Sequence, residues 1–448
     1  MNSRLKNILK LPLVRNTVKL SSSSALLMFL PLVVTPILSR LYTPEDYGDW
    51  GVFTSVFYIV NSFIFLSYEN TIVRTNKVEE VPNLLGLCAF VSSLIILLTV
   101  FVFSVGRLMG ISFFSEFPSI TLLATLLVAH AVHTLANNVA NREKQYGMMS
   151  IASIIGGVSQ ASCRIAFGVY PIVAFGLIVG NVLAQILTTI FMLIYLCYTI
   201  KILWKYFSFN NVIQLALSNW KFPIYDAPAR FVELSLGNFA LIIMTFFWDR
   251  GDVGCYSMVV QFILLPISII GAAMGNVFYR ELSENIEDSK AVTTITIRAA
   301  KITFLLSFLP ILFLIFGGDK ILVMLLGKKW EVAGTMALCL CIYSIPTILS
   351  EPLLPIYRSL NRQEIRFRLN VLNFLLSLGS LYASASWFSN MYYAIIVHAL
   401  FYALVRYKFY FSILQLANVR ILTINRHFYI YSFSIYSLLA VRLILKLT

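Results

Sequence analysis

Long apolar stretches, broken at short intervals by charged or proline-containing turns, run through this chain from Leu20 almost to its end. Most are roughly 20 residues long, enough to cross a ~30 Å hydrocarbon core as helices. The pattern predicts helices at 20–41, 51–70, 84–106, 118–139, 147–167, 172–200, 221–247, 253–279, 299–326, 333–357, 367–388 and 391–415. Half of them precede a polar connector at 201–219 and half follow it. The two halves also share punctuation. Tyr42-Thr-Pro-Glu-Asp-Tyr-Gly48 follows one apolar stretch and Asp249-Arg-Gly-Asp-Val-Gly254 another, so Asp46 and Gly48 correspond to Asp252 and Gly254. Asn141-Arg142-Glu143 likewise corresponds to Asn361-Arg362-Gln363. A duplicated helical bundle is the usual build of a transporter, with its site between the repeats. The expected fold is an all-α polytopic membrane protein with two pseudo-symmetric six-helix lobes, 1–200 and 220–416, around a central cavity. The connector 201–219 is expected as a cytoplasmic loop, and 417–448 as an extra apolar segment.

Composition agrees. Hydrophobic residues make up 59% and charged residues 12%, against ~25% charged in soluble domains, and mean hydropathy is +0.83. The net charge of +14 suggests nucleic acid until the cations are located. They concentrate in alternate loops, as the positive-inside rule requires: Arg4, Lys6, Lys10, Arg15 and Lys19 before the first helix, then Arg142 and Lys144, Lys201, Lys205 and Lys221, Arg358 to Arg368, and Arg420 and Arg426. This bias places the N-terminus in the cytoplasm and leaves anionic lipids, not nucleic acid, as the partners of the charge. The first apolar stretch lacks a small-x-small cleavage site and reads as a retained helix. The stretch 428–445 is apolar enough to span but carries Arg442 and Lys446 at its far end; crossing the membrane and lying at its surface both remain open. The six cysteines lie in or beside apolar stretches without CxxC spacing and read as packing residues. There is no P-loop, GxSxG, HExxH or zinc-spaced cluster. The chain is therefore expected to be no enzyme and to hold no metal or cofactor, with protons or sodium as the candidate coupling ions.

Leu38-Ser-Arg-Leu-Tyr-Thr-Pro-Glu-Asp-Tyr-Gly48 resembles the first-helix signature of bacterial polysaccharide and O-antigen repeat-unit flippases, within the multidrug/oligosaccharidyl-lipid/polysaccharide exporter superfamily. Trp248-Asp-Arg-Gly-Asp-Val-Gly-Cys-Tyr256 with Gln261-Phe-Ile-Leu-Leu-Pro266 is similar to the family's turn between helices seven and eight. Leu326-Gly-Lys-Lys-Trp330 with Ala333 is similar to its loop between helices nine and ten. The resemblance implies transfer of undecaprenyl-pyrophosphate-linked oligosaccharides across the bacterial inner membrane by alternating access, for O-antigen, lipopolysaccharide or capsular polysaccharide synthesis. It also implies a glycan polymerase and a chain-length regulator as partners. A cation-coupled multidrug exporter of the same superfamily is the alternative, and a membrane glycan polymerase a further one; the short outer loops weigh against the latter.

Ionisable residues inside membrane helices are expensive and point to sites. Asp226, Arg230 and Glu233 are spaced so that both acids reach the guanidinium on one helix face, with Pro223 and Pro228 predicting a kink. Arg164 stands alone in its helix and is expected to face a wet cavity; a planar guanidinium suits pyrophosphate. Arg74 joins these as a substrate-binding candidate. Glu69 and Glu351 are candidate ion-coupling sites, each about one turn from an arginine (Arg74 and Arg358) with which a structural pair is the competing reading. His130, His133 and His398 read as packed, hydrogen-bonded residues. Pro44, Glu45 and Asp46 read as a helix start, and Gly48 and Gly51 as places for close helix approach.

Overall fold

The computed structural model describes residues 27, 29–75, 77–424 and 428–447. The basic N-terminal segment, the first part of the helix expected at 20–41, and Arg426 lie outside the described residues. Among the described residues all regular structure is helical. The chain forms two compact units: one comprises the chain to Tyr42 and Asp49–Asn238, the other Thr43–Gly48 and Phe239 onward.

The first unit contains α1 (Phe29–Leu41), most of α2 (Pro44–Phe63), α3 (Glu69–Arg74), α4 (Val81–Leu108), α5 (Ile120–Arg142), α6 (Tyr146–Val169), α7 (Gly176–Leu203), α8 (Phe209–Ser218) and the start of α9 (Ala227–Met244). The second contains α10 (Arg250–Glu284), α11 (Ser289–Ser307), α12 (Asp319–Leu326), α13 (Glu331–Leu340), α14 (Ser344–Ser350), α15 (Gln363–Trp387), α16 (Met391–Leu416) and α17 (Phe428–Leu447). Eight described helices are long and apolar enough to cross a membrane, which makes this a multi-pass membrane protein. The connector expected as a loop is in large part helix, α8.

The second unit is built around the repeated turns. Thr43 caps α2: its backbone N–H and hydroxyl both donate to Asp46 Oδ2, at 2.8 and 3.0 Å, while the Asp46 N–H donates back to the Thr43 hydroxyl. Such a reciprocal cap, with Pro44 in the first helical position, fixes where α2 starts and how it points. Its first turn crosses that of α10 with no room for side chains. A Cβ on Gly48 would lie 2.0 Å from the Arg250 carbonyl oxygen, and one on Gly254 would lie 1.8 Å from that of Pro44. Tyr47 then packs edge-on to the fully buried Trp330, 5.1 Å between ring centres. All three resemblance motifs thus meet in one packing junction.

Several expected helices are interrupted. The helix expected over 51–70 starts at Pro44 and stops at Phe63; Leu66 and Ser67 adopt left-handed backbone (φ 49° and 63°) before α3 begins, at roughly 1–2 kcal/mol per residue. The stretch 299–326 breaks at Gly317, φ 105°. The stretch 333–357 becomes α13, α14 and short 3-10 turns at Cys341–Tyr343 and Glu351–Leu353. In its apolar window 94% of the residues are buried inside protein. Irregular backbone at membrane depth is tolerated only in such surroundings, which is why Pro346, Pro352 and Pro355 fit here.

The terminal helix resolves the puzzle of its own charges. Asp319, at the start of α12 and 1% exposed, receives Arg442 Nη2 at 3.3 Å and lies 3.7 Å from Lys446 Nζ. The Tyr436 hydroxyl donates to the Ile342 carbonyl at 2.9 Å, and Phe428 stacks on Tyr410. α17 is therefore an integral, span-length helix of the second unit.

Two outcomes follow. Gly48→Ala or Gly254→Ala should cost ~3 kcal/mol or more, because backbone rather than a movable side chain occupies the space; loss of folded protein on detergent size-exclusion chromatography reads this, and wild-type yield and melting temperature would refute it. Asp319→Ala should lower stability by ~1–3 kcal/mol by stranding two cations, and adding Arg442→Met and Lys446→Met should recover most of the loss in the same thermal melt.

Candidate functional site

The helix breaks carry the buried charges. In the first unit, Glu69 opens α3 directly after the left-handed turn and is 4% exposed. Its Oε1 accepts from Arg230 Nη1 on α9; its Oε2 is buried with no hydrogen-bond partner. The Arg230 side chain is 35% exposed, so its pairing with Glu69 leaves it only partly enclosed. α9 is preceded by a π-type turn, Phe222–Asp226, which contains Pro223 and is followed by Pro228 in the first turn of α9. That turn closes i→i+5 bonds and shifts the residues that follow, so the i,i+4 reach expected between Asp226 and Arg230 does not apply. Asp226 and Glu233 are exposed, and Arg230 takes its carboxylate from a residue 161 positions away.

The same arrangement recurs in the second unit. Glu351 opens the 3-10 turn after α14 and accepts from Arg406 Nη2 on α16. Arg406 is 5% exposed and its guanidinium lies 5.4 Å from the Phe409 ring centre. Gly271 of α10 lets the acid sit close: a Cβ there would be 3.1 Å from Glu351 Cγ. Neither acid pairs with the arginine that follows it in sequence, Arg74 or Arg358, both of which are exposed.

Arg164 is buried at 9% exposure, with its guanidinium 4.8 Å from the ring centre of Trp50. A cation over an indole face is a favourable buried placement. The Tyr42 hydroxyl donates to the Arg164 carbonyl at 2.8 Å, and Gly180 allows α7 to pass close by. The histidines are packed: His130 meets Phe57 edge-on at 5.3 Å and lies 6.5 Å from His133, while His398 Nδ1 is 2.9 Å from the Ser377 carbonyl; the hydrogen bond expected of His133 is not made at its buried Nδ1. Among the described residues no cluster of three or more His, Cys, Asp or Glu is placed to hold a metal ion.

The profile of a family described as polysaccharide biosynthesis protein matches residues 37–337, more than half of the chain. The chain belongs to this family. No curated protein matches. Among solved structures this polysaccharide biosynthesis family member is similar to the lipid II flippase MurJ in an inward closed conformation, with TM-score 0.63, 13% identity and coverage of 96% of each chain. It is also similar to an inward-facing multidrug resistance MATE family transporter of the MOP superfamily, with TM-score 0.61, 15% identity, and 87% of this chain and 94% of that one covered. A MOP superfamily transporter from Pyrococcus furiosus gives TM-score 0.59 at 13% identity, covering 90% and 95%. At these identities the likeness establishes the fold alone.

Two charged residues of this family member escaped the sequence reading as site partners. Arg406 lies with Lys408 inside the apolar stretch 391–415, and two cations near the end of a helix read as loop charge. Asp319 lies next to Lys320 within the helix expected at 299–326; only the fold brings Arg442 and Lys446 to it. If the Glu351–Arg406 pair is structural, Glu351→Gln should destabilise the protein by ~3 kcal/mol by leaving a buried guanidinium uncompensated, and the double variant Glu351→Leu/Arg406→Leu should recover most of that. Thermal unfolding in detergent reads both; additive losses in the double variant would refute the coupling.

Proposed function

We infer that this protein translocates lipid-linked saccharides: undecaprenyl-pyrophosphate-linked oligosaccharide repeat units, moved by alternating access across the bacterial inner membrane, with the N-terminus in the cytoplasm. The product would feed O-antigen or capsular polysaccharide synthesis, ahead of a glycan polymerase and its chain-length regulator. Family membership supports the substrate class. The observation that carries the reading is the half-open Arg230 held by a buried Glu69.

A guanidinium engaged on one side offers its remaining donors to a phosphate through a planar fork. When a pyrophosphate takes over Arg230, Glu69 loses its counter-charge in a buried setting, where an unpaired carboxylate is costly. Anionic cargo and carboxylate thus compete for a single arginine, which makes Glu69 a candidate ion-coupling acid. Arg164, Arg74, Asp226 and Glu233 are further candidates along the cargo's path, and Glu351 is a second candidate coupling acid.

Deleting the gene should abolish surface polysaccharide and accumulate lipid-linked units in the inner leaflet; normal surface glycan would reject the reading. Arg230→Ala should cut export at least tenfold at normal protein level, with Arg230→Lys partly restoring it. Glu69→Gln should leave flipping in vesicles insensitive to collapse of the proton gradient, whereas collapse of a sodium gradient alone halting the wild type would assign coupling to sodium instead.

A further inference from the structure

The short helix α8 is amphipathic. Phe209, Val212, Ile213, Ala216 and Leu217 fall on one face, and Asn210, Asn211, Gln214 and Ser218 on the rest. The chain leading into it is fastened to α4. Asn83, 1% exposed, donates to the Tyr206 carbonyl at 3.2 Å and accepts from the Ser208 N–H at 2.7 Å. Gly86 admits the Phe207 ring, which a Cβ there would meet at 2.5 Å. The far end of α8 is tied by the Tyr68 hydroxyl, which donates to the Ala216 carbonyl at 3.2 Å.

Between α8 and α4 these ties leave an apolar cavity of about 380 Å³. Its rim is exposed: Phe90 65%, Phe209 65%, Ile213 49% and Leu217 70%. From Phe90 the opening continues into a stripe of exposed Leu94, Leu97, Leu98 and Phe101 along one face of α4, a span-length helix whose surroundings are lipid tails. Gly86 is only a turn and a half into α4, so the cavity lies ~8 Å from the helix start, at the level where headgroups give way to chains. The sequence from 201 to 225 contains three lysines and no acid. Lys205 and Lys221, both exposed, bracket α8. Of the nearby acids at the start of α4, Glu80 is engaged by Lys77 at 3.0 Å and by Thr75, and Glu79 is exposed.

We propose that this groove binds one anionic phospholipid, with an acyl chain in the cavity and along α4 and the phosphate at the headgroup level, where Lys205 and Lys221 flank the two ends of α8. A basic, aromatic-flanked amphipathic helix suits such a lipid, and each lysine near an anionic surface contributes ~1 kcal/mol. The site has a mechanical consequence. α8 leads through Trp220 and Lys221 into the π-type turn at Phe222–Asp226 and on to the helix that carries Arg230. A lipid that holds α8 against α4 therefore positions the arginine helix.

The test uses full-length protein in nanodiscs of phosphatidylglycerol, phosphatidylcholine or their mixture, with bound lipid counted by native mass spectrometry. Phosphatidylglycerol should be retained selectively. Lys205→Ala/Lys221→Ala should lower that selectivity about fivefold per lysine, and Lys205→Arg should preserve it. Ile213→Gln/Leu217→Gln should weaken retention while both lysines remain. Equal retention of the two phospholipids, or selectivity unchanged in the lysine variant, would overturn the proposal. So would displacement of phosphatidylglycerol by an equimolar polyprenyl phosphate, which would give the groove to a carrier lipid. A zwitterionic bilayer should also slow transport by wild type but not further slow the lysine variant.

Discussion

The constraint on which the second unit rests is a crossing of two backbones at Gly48 and Gly254, where carbonyl oxygens occupy the space a methyl group would need. Packing this tight gains dispersion contacts that side-chain-mediated helix pairs do not, and in lipid, where no hydrophobic effect drives helices together, close backbone approach is a main source of association. The Thr43–Asp46 cap sets the angle of α2 so that Gly48 arrives at the crossing, and Trp330 closes over it. The residues that most clearly mark the family are therefore those that assemble the fold. They leave the chemistry to other positions.

Those other positions share a logic. Glu69, Glu351 and Asp319 each sit where a helix is interrupted, and each meets an arginine from a distant helix. An interruption frees backbone groups and turns a side chain inward, so it is expensive next to lipid and economical only inside protein. Acid and break are thus found together because the same protein-enclosed surroundings tolerate both. The two pairs differ in which partner is enclosed: in the first unit Glu69 is buried and Arg230 keeps a third of its side chain open, whereas in the second Arg406 is buried and the Glu351 side chain is 39% exposed. The open partner is thus a cation in one unit and an acid in the other.

Much of this was legible in the sequence. Apolar run length gave the helical class, and Pro223 with Pro228 marked the irregular entry to α9. The choice of ion-pair partners was not legible. Spacing rules assume an unbroken 3.6-residue helix, and the charged residues sit where that assumption fails. A π-type turn moved Asp226 out of register with Arg230, and left-handed Leu66 and Ser67 aimed Glu69 away from Arg74. The turn at Leu66 has no glycine, asparagine or proline to announce it. The role of 201–219 was hidden for another reason: ten residues of amphipathic helix are too short to separate from a polar loop by hydropathy alone.

The bond between Asp319 and Arg442 joins residues 123 positions apart. At ~5–20 residues per second, a ribosome needs roughly 6–25 s to travel between them. The ties that fasten α17 to α12 therefore form only after Arg442 has been made, so this part of the second unit is locked together later in synthesis than the Gly48–Gly254 crossing.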